Sequence, residues 1–122
     1  MIEAQQSSGG VFKLYVANLT QSGTNAPVAT VLQNTLGGTL VWTRSEEGQY
    51  MATLADVFGD VDKVYIMIQG IWFESTFTFP CFSLFGVNDS NSIIFYTLAL
   101  STPDTYEDSL FNNTSVEIRI YP

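Results

Sequence analysis

Apolar and polar positions alternate along this chain in short runs, and the runs predict strands. Val11–Leu19 comes first: Phe12, Leu14, Val16 and Asn18 face one way, and Val11, Lys13, Tyr15, Ala17 and Leu19 the other. Successive side chains of a strand leave on opposite faces, so a half-buried strand shows period two. Both sides of this run are mostly apolar, which fits a central strand or a contact between subunits. Pro27–Gln33 alternates Val28, Thr30 and Leu32 against Ala29, Val31 and Gln33, and Leu40–Trp42 continues as a third strand. The connectors Gln21–Pro27 and Asn34–Gly38 hold Gly, Asn and Pro, the residues that reverse a chain.

Arg44–Gly48 reads as a hairpin loop with Gly48 at a left-handed position, and Gln49–Leu54 as the returning strand. That loop would make Trp42 and Tyr50 cross-strand neighbours, a pairing worth about 0.2–1 kcal/mol. Ala55–Phe58 is expected to form one helical turn closed by Gly59. Lys63–Gln69 is a strand with Val64, Ile66 and Ile68 on one face. Ile71–Gly86 is an aromatic tract, read as a strand to Phe79; Pro80 ends it, because proline cannot donate to a ladder. Phe82–Phe85 is a short apolar piece, and Gly86–Ser92 a loop by composition. Ile93–Leu100 is a charge-free strand with apolar residues on both sides. Ser101–Asp108 is expected to be exposed, and Asn112–Thr114 to turn. Val116–Tyr121 alternates cleanly, with Val116, Ile118 and Ile120 inward and Glu117, Arg119 and Tyr121 outward. No segment sustains a 3.6-residue period. About eight strands with regular turns predict an all-β fold, an antiparallel β-sandwich or partly closed barrel.

The 122 residues fit one β domain over 11–122 behind a flexible lead-in, residues 1–10. The first ten residues have neither a basic n-region nor an apolar h-region, so no signal peptide is expected, and no run is long enough for a membrane span. Charge changes the picture more. Four Lys and Arg against twelve Asp and Glu give −8, which disfavours nucleic acid, whose phosphates are bound by cations.

The candidate chemistry is sparse. There is no histidine, which removes the commonest general base and most zinc sites. The single cysteine, Cys81, forms no internal disulfide and reads as a small apolar side chain. Asp60-Val61-Asp62, Asn88–Asn91 and Asp104, Glu107 and Asp108 read as solvated turns rather than as cation ligands. No two carboxyls are singled out as an acid pair, so the chain is read as no enzyme, with no cofactor and no metal. The aromatic tract is the strongest local feature. Trp72, Phe73, Phe77, Phe79, Phe82 and Phe85 are candidates for a subunit interface or a sugar-stacking platform, and a hydrophobic core is the competing role.

A resemblance adds to this. The words Tyr15-Val16-Ala17, Leu19-Thr20-Gln21-Ser22-Gly23-Thr24, Ala26–Leu32, Asn34–Gly38 and Val41–Arg44, followed by Gly48 and Tyr50, form one block. Leu110, Asn112 or Asn113 with Thr114, and Val116–Tyr121 form a second. Together they resemble small proteins of phages and prophages of Bacteroidetes, marine flavobacterial phages among them. The blocks cover less than half of the chain, and Ala55–Tyr106 carries no match. The resemblance implies a virion part, such as a head decoration, spike, fibre or tail accessory, assembled in the host cytoplasm. Its partners would be other virion proteins or copies of itself. It brings no catalytic residues. The alternative is a carbohydrate-binding or receptor-binding adhesin module that uses the aromatic tract on host surface glycans.

Overall fold

A computed structural model of the chain describes residues 11–69, 81–99 and 105–122, without the side chains of Cys81 and Phe82. The expected lead-in 1–10, the strand from Ile71 to Phe79 with Pro80, and Ser101–Asp104 lie outside the described residues.

The described residues form nine strands in two antiparallel sheets that pack as a β-sandwich. The strands are β1 Lys13–Thr20, β2 Val28–Asn34, β3 Val41–Glu46, β4 Gln49–Thr53, β5 Val64–Ile68, β6 Cys81–Asp89, β7 Ser92–Ala99, β8 Thr105–Tyr106 and β9 Thr114–Ile120. The four-stranded sheet has the order β2-β1-β9-β5, and the five-stranded sheet β3-β4-β7-β6 with β8 also on β7. The fold is an open sandwich, not a closed barrel. Among the described residues no helix is long and apolar enough to cross a membrane.

Period-two patterning explains the core. Tyr15, Ala17 and Leu19 of β1 are buried, as are Val116 and Ile118 of β9 beside them. Val64, Ile66 and Ile68 of β5 pack against the same core. From the other sheet come Trp42, Tyr50, Ala52, Ile93 and Phe95, with Trp42 and Phe95 rings 5.1 Å apart. Leu36, Leu40 and Phe58 enter from loops. Both strands with two apolar sides are central: β1 lies between β2 and β9, and β7 between β4 and β6.

A polar contact crosses this core. Trp42 Nε1 donates to the Tyr15 hydroxyl at 3.1 Å, and both residues are buried. Burial also raises the Tyr15 pKa. Tyr15→Phe would leave the indole N–H without its acceptor, a loss of about 1–2 kcal/mol in urea unfolding.

Four expectations need correction. Trp42 pairs with Ala52, and Tyr50 with Arg44. The hairpin loop is only Glu47-Gly48; β3 runs on to Glu46 with a bulge between Arg44 and Glu46, so the register slides by two residues. Gly48 does adopt positive φ, +66°. Ala55–Phe58 is a turn without a helix, because Asp56 has φ +62° and breaks right-handed winding. Hydrogen bonds pin that turn to the β6–β7 hairpin: Leu54 N to Asn91 O at 2.8 Å and Phe58 N to Ser90 O at 2.9 Å. Gly86–Asp89 is strand rather than loop, pairing Gly86 with Ile94 and Val87 with Ile93. Composition marked it as loop, but cross-strand pairing with β7 prevails. The turn shrinks to Ser90-Asn91, where Asp89 accepts from Asn91 N and Ser92 Oγ, each at 2.8 Å. Those two bonds lower the Asp89 pKa. The fourth correction is Asp108, described next.

Candidate functional site

Two polar clusters stand out, one at an end of the sandwich and one on its outer face. The first is centred on Asp108. Arg44 grips its carboxylate with two nitrogens, Nη2 to Oδ2 at 2.7 Å and Nε to Oδ1 at 3.1 Å. Gly48 N donates to Oδ1 at 3.0 Å. The Tyr50 hydroxyl lies 2.7 Å from Asp108 Oδ1 and 2.8 Å from Gln21 Oε1. It has one proton, and the charged carboxylate is the stronger acceptor. Gln21 Oε1 keeps a donor in any case, Ser109 N at 2.6 Å. The Gln21 amide donates to Gly23 O and Asn25 O, closing the β1–β2 connector onto the hub.

Asp108 is therefore no solvated turn residue; its side chain is only 14% exposed. The Arg44 guanidinium, with Gly48 N–H and Tyr50 O–H, holds its pKa at about 2 against burial. Burial and the adjacent carboxylate push the Tyr50 phenol well above its usual range. Both shifts run away from neutral pH, and the interlocking bonds tie the β3–β4 loop and the β1–β2 connector to Asp108. Sequence reading missed it because its members are far apart along the chain; Arg44 and Asp108 are 64 residues apart.

The second cluster lies on the outer face of the four-stranded sheet. Arg119 of β9 pairs with Leu14 and Tyr65 on its two neighbours. Its guanidinium sits over the Phe12 ring at 4.8 Å and the Tyr65 ring at 5.4 Å. It donates to Glu117 and, at 3.1 Å, to the Tyr121 hydroxyl. Those two contacts raise its pKa, so the charge is permanent. Phe12 and Tyr121 rings lie 5.1 Å apart. Beside them runs an open groove bordered by Val11, Leu14, Gln33, Thr35 and Tyr121. An arginine held between aromatic rings offers stacking surface and fixed donors together, a combination that suits a polar ring such as a sugar. The outward alternation of Glu117, Arg119 and Tyr121 was legible in β9; the contributions of Phe12 and Tyr65 needed the sheet order.

Of the aromatic candidates from the tract, Trp72, Phe73, Phe77 and Phe79 lie outside the described residues. Phe82 is described as backbone only, in β6 opposite Leu98. Phe85 is on the inner face of that strand, its ring 6.2 Å from Phe95, yet it stays 41% exposed at the sheet edge. It belongs to neither polar cluster. Asp60 and Lys63 form an ion pair at 3.7 Å, and among the described residues no three Asp, Glu or Cys converge as a metal would require.

No protein-family model, curated protein or solved structure matches this chain.

Proposed function

We propose that this chain is a non-catalytic structural protein of a phage particle, a head decoration, spike, fibre or tail accessory that works by packing against other virion proteins or copies of itself. The observation that supports it is the outer face of the five-stranded sheet. Ile94, Tyr96 and Leu98 of β7 point away from the core, although β7 is central in its sheet. Met51 pairs beside Ile94, and Leu84 beside Tyr96; Tyr106 stacks on Tyr96 at 5.3 Å. Leu84 and Tyr106 are exposed. A sandwich with a filled core has no need of a second apolar surface, whereas a subunit held among neighbours does. The resemblance to phage proteins points the same way. Mass spectrometry of purified phage particles should find this chain in stoichiometric amount. Particles that assemble and infect without it, and never contain it, would overturn the proposal.

A second reading, a glycan-binding adhesin module, is favoured by the Phe12, Tyr65, Arg119 and Tyr121 cluster. On a glycan array the intact chain should bind host surface polysaccharide, and Arg119→Ala with Tyr65→Ala should lower the signal at least tenfold. No signal on any host glycan removes this reading.

A further inference from the structure

The open edge of the four-stranded sheet carries an inference of its own. Among the described residues β2 has a strand on one side only, β1. Among the described residues, nothing else bonds to the backbone of Val28–Gln33. Such an edge presents a row of unpaired N–H and C=O groups, and proteins ordinarily blunt it with lysine, internal proline or charge. β2 reads VATVLQN and has none of these. Val28 is 66% exposed, Val31 49% and Leu32 62%. It carries one edge-blunting device of another kind, a bulge at Leu32 between the Val16 and Ala17 pairings, and Val28–Val31 keeps regular register with β1.

Charge separates this edge from the others. Leu14–Thr43, thirty residues that include all of β2, contain no Asp, Glu, Lys or Arg, in a chain of net charge −8. β3 carries Arg44 and Glu46 on its edge, β5 follows Asp60, Asp62 and Lys63, and β6 ends at Asp89. Net charge −8 makes two copies repel one another overall. At β2 they can meet without opposing carboxylates.

We infer that β2 is a self-pairing edge: two copies join antiparallel through Val28–Asn34 about a two-fold axis, making one continuous eight-stranded sheet. A two-fold interface uses the same patch on both partners, and an antiparallel strand pair meets that condition by itself. With the axis near Val31, Thr30 of one copy lies opposite Leu32 of the other, Val31 meets its own copy, and Val28 lies opposite Asn34. A foreign extended strand could use the same backbone groups. The missing charge favours the second copy, because it removes the repulsion particular to a like partner. The inference does not rest on the particle reading: a monomer in solution that is nonetheless present in particles would overturn this inference alone.

Sedimentation velocity of the full chain at submillimolar concentration should show a species of twice the 13.5 kDa chain mass. The double variant Thr30→Lys with Leu32→Lys should sediment as monomer with an unchanged far-ultraviolet circular dichroism spectrum. Thr30→Glu with Leu32→Glu should do the same, and mixing the two variants should restore the dimer through opposite charges. Hydrogen exchange adds a readout that folding alone does not move: the β2 amides that point away from β1 should be protected in the wild type and exposed in both variants, while those bonded to β1 stay protected in all three. A wild type that stays monomeric, or a dimer that survives the lysine pair, would overturn the inference.

Discussion

Replacing Gly48 with alanine should destabilise the protein by roughly 2–5 kcal/mol and lower its melting temperature sharply. Two costs add. Gly48 has φ +66°, where a β-carbon crowds its own backbone at about 1–2 kcal/mol. The second cost comes from the surroundings: a β-carbon there would sit 2.6 Å from Glu107 N and 2.8 Å from Thr97 O. Both are backbone atoms, and both are committed, since Glu107 N donates to Thr97 O and Thr97 N to Gly48 O. Neither can retreat without opening the junction of β4, β7 and β8. Gly23→Ala is the control. Gly23 has φ +58° with nothing within 4 Å of its added carbon, so only the backbone cost of about 1–2 kcal/mol applies. Equal losses for the two variants would show that the close contact at Gly48 does not matter.

Asp108→Ala should cost roughly 2–4 kcal/mol, measured by urea unfolding at neutral pH. It strands three donors at once: the Arg44 guanidinium, Gly48 N–H and the Tyr50 hydroxyl. Tyr50→Phe removes one of these bonds and should cost about 1 kcal/mol. A double-mutant cycle between Arg44 and Asp108 should show coupling, because both belong to one network. The wild type should also reveal the same carboxylate by its acid titration. Its folded pKa of about 2 lies below the ordinary 3.8, so ionised Asp108 favours the folded state. The contribution is complete above pH about 4 and fades as pH falls towards 2, on the order of 1–2 kcal/mol after screening by solvent. Asp108→Ala should flatten that part of the stability profile. An unchanged slope between pH 4 and 2 would show that Asp108 is not the group responsible.

Much of the sandwich was legible in the chain. Alternation grouped Tyr15, Ala17 and Leu19 on one side of β1 without telling which side is the core, grouped Val64, Ile66 and Ile68, and placed Val116 and Ile118 inward, where they lie. Period two survives because each of these strands has one face on the core, and a one-residue slip would expose the whole set. Register was harder. Trp42 and Tyr50 were misjudged as neighbours because Arg44, Ser45 and Glu46 look like loop residues, and a bulge lets polar residues finish a strand. Gly86–Asp89 was misread for a related reason: local composition cannot report a partner strand. The polar clusters were legible only in fragments. Arg44 and Asp108 meet because two hairpins converge, and Arg119 meets Phe12 and Tyr65 because β9 runs between their strands. Short-range patterning carries no record of either meeting.

The position of β9 bears on how the protein comes into being. Its residues 114–120 supply the middle of the four-stranded sheet, flanked by the earliest described strand, β1, and by β5. Asn113 N bonds to Thr20 Oγ1 and Ser115 Oγ to Asn18 Oδ1, across separations of 93 and 97 residues. On the ribosome β1 must wait, unpaired on that side, until residues 114–120 have been translated. Contacts this distant make for slow acquisition of the native state. A nascent chain stalled at Tyr106 should remain protease-sensitive throughout Lys13–Thr20, and release of the segment through Ile120 should confer resistance in a single step.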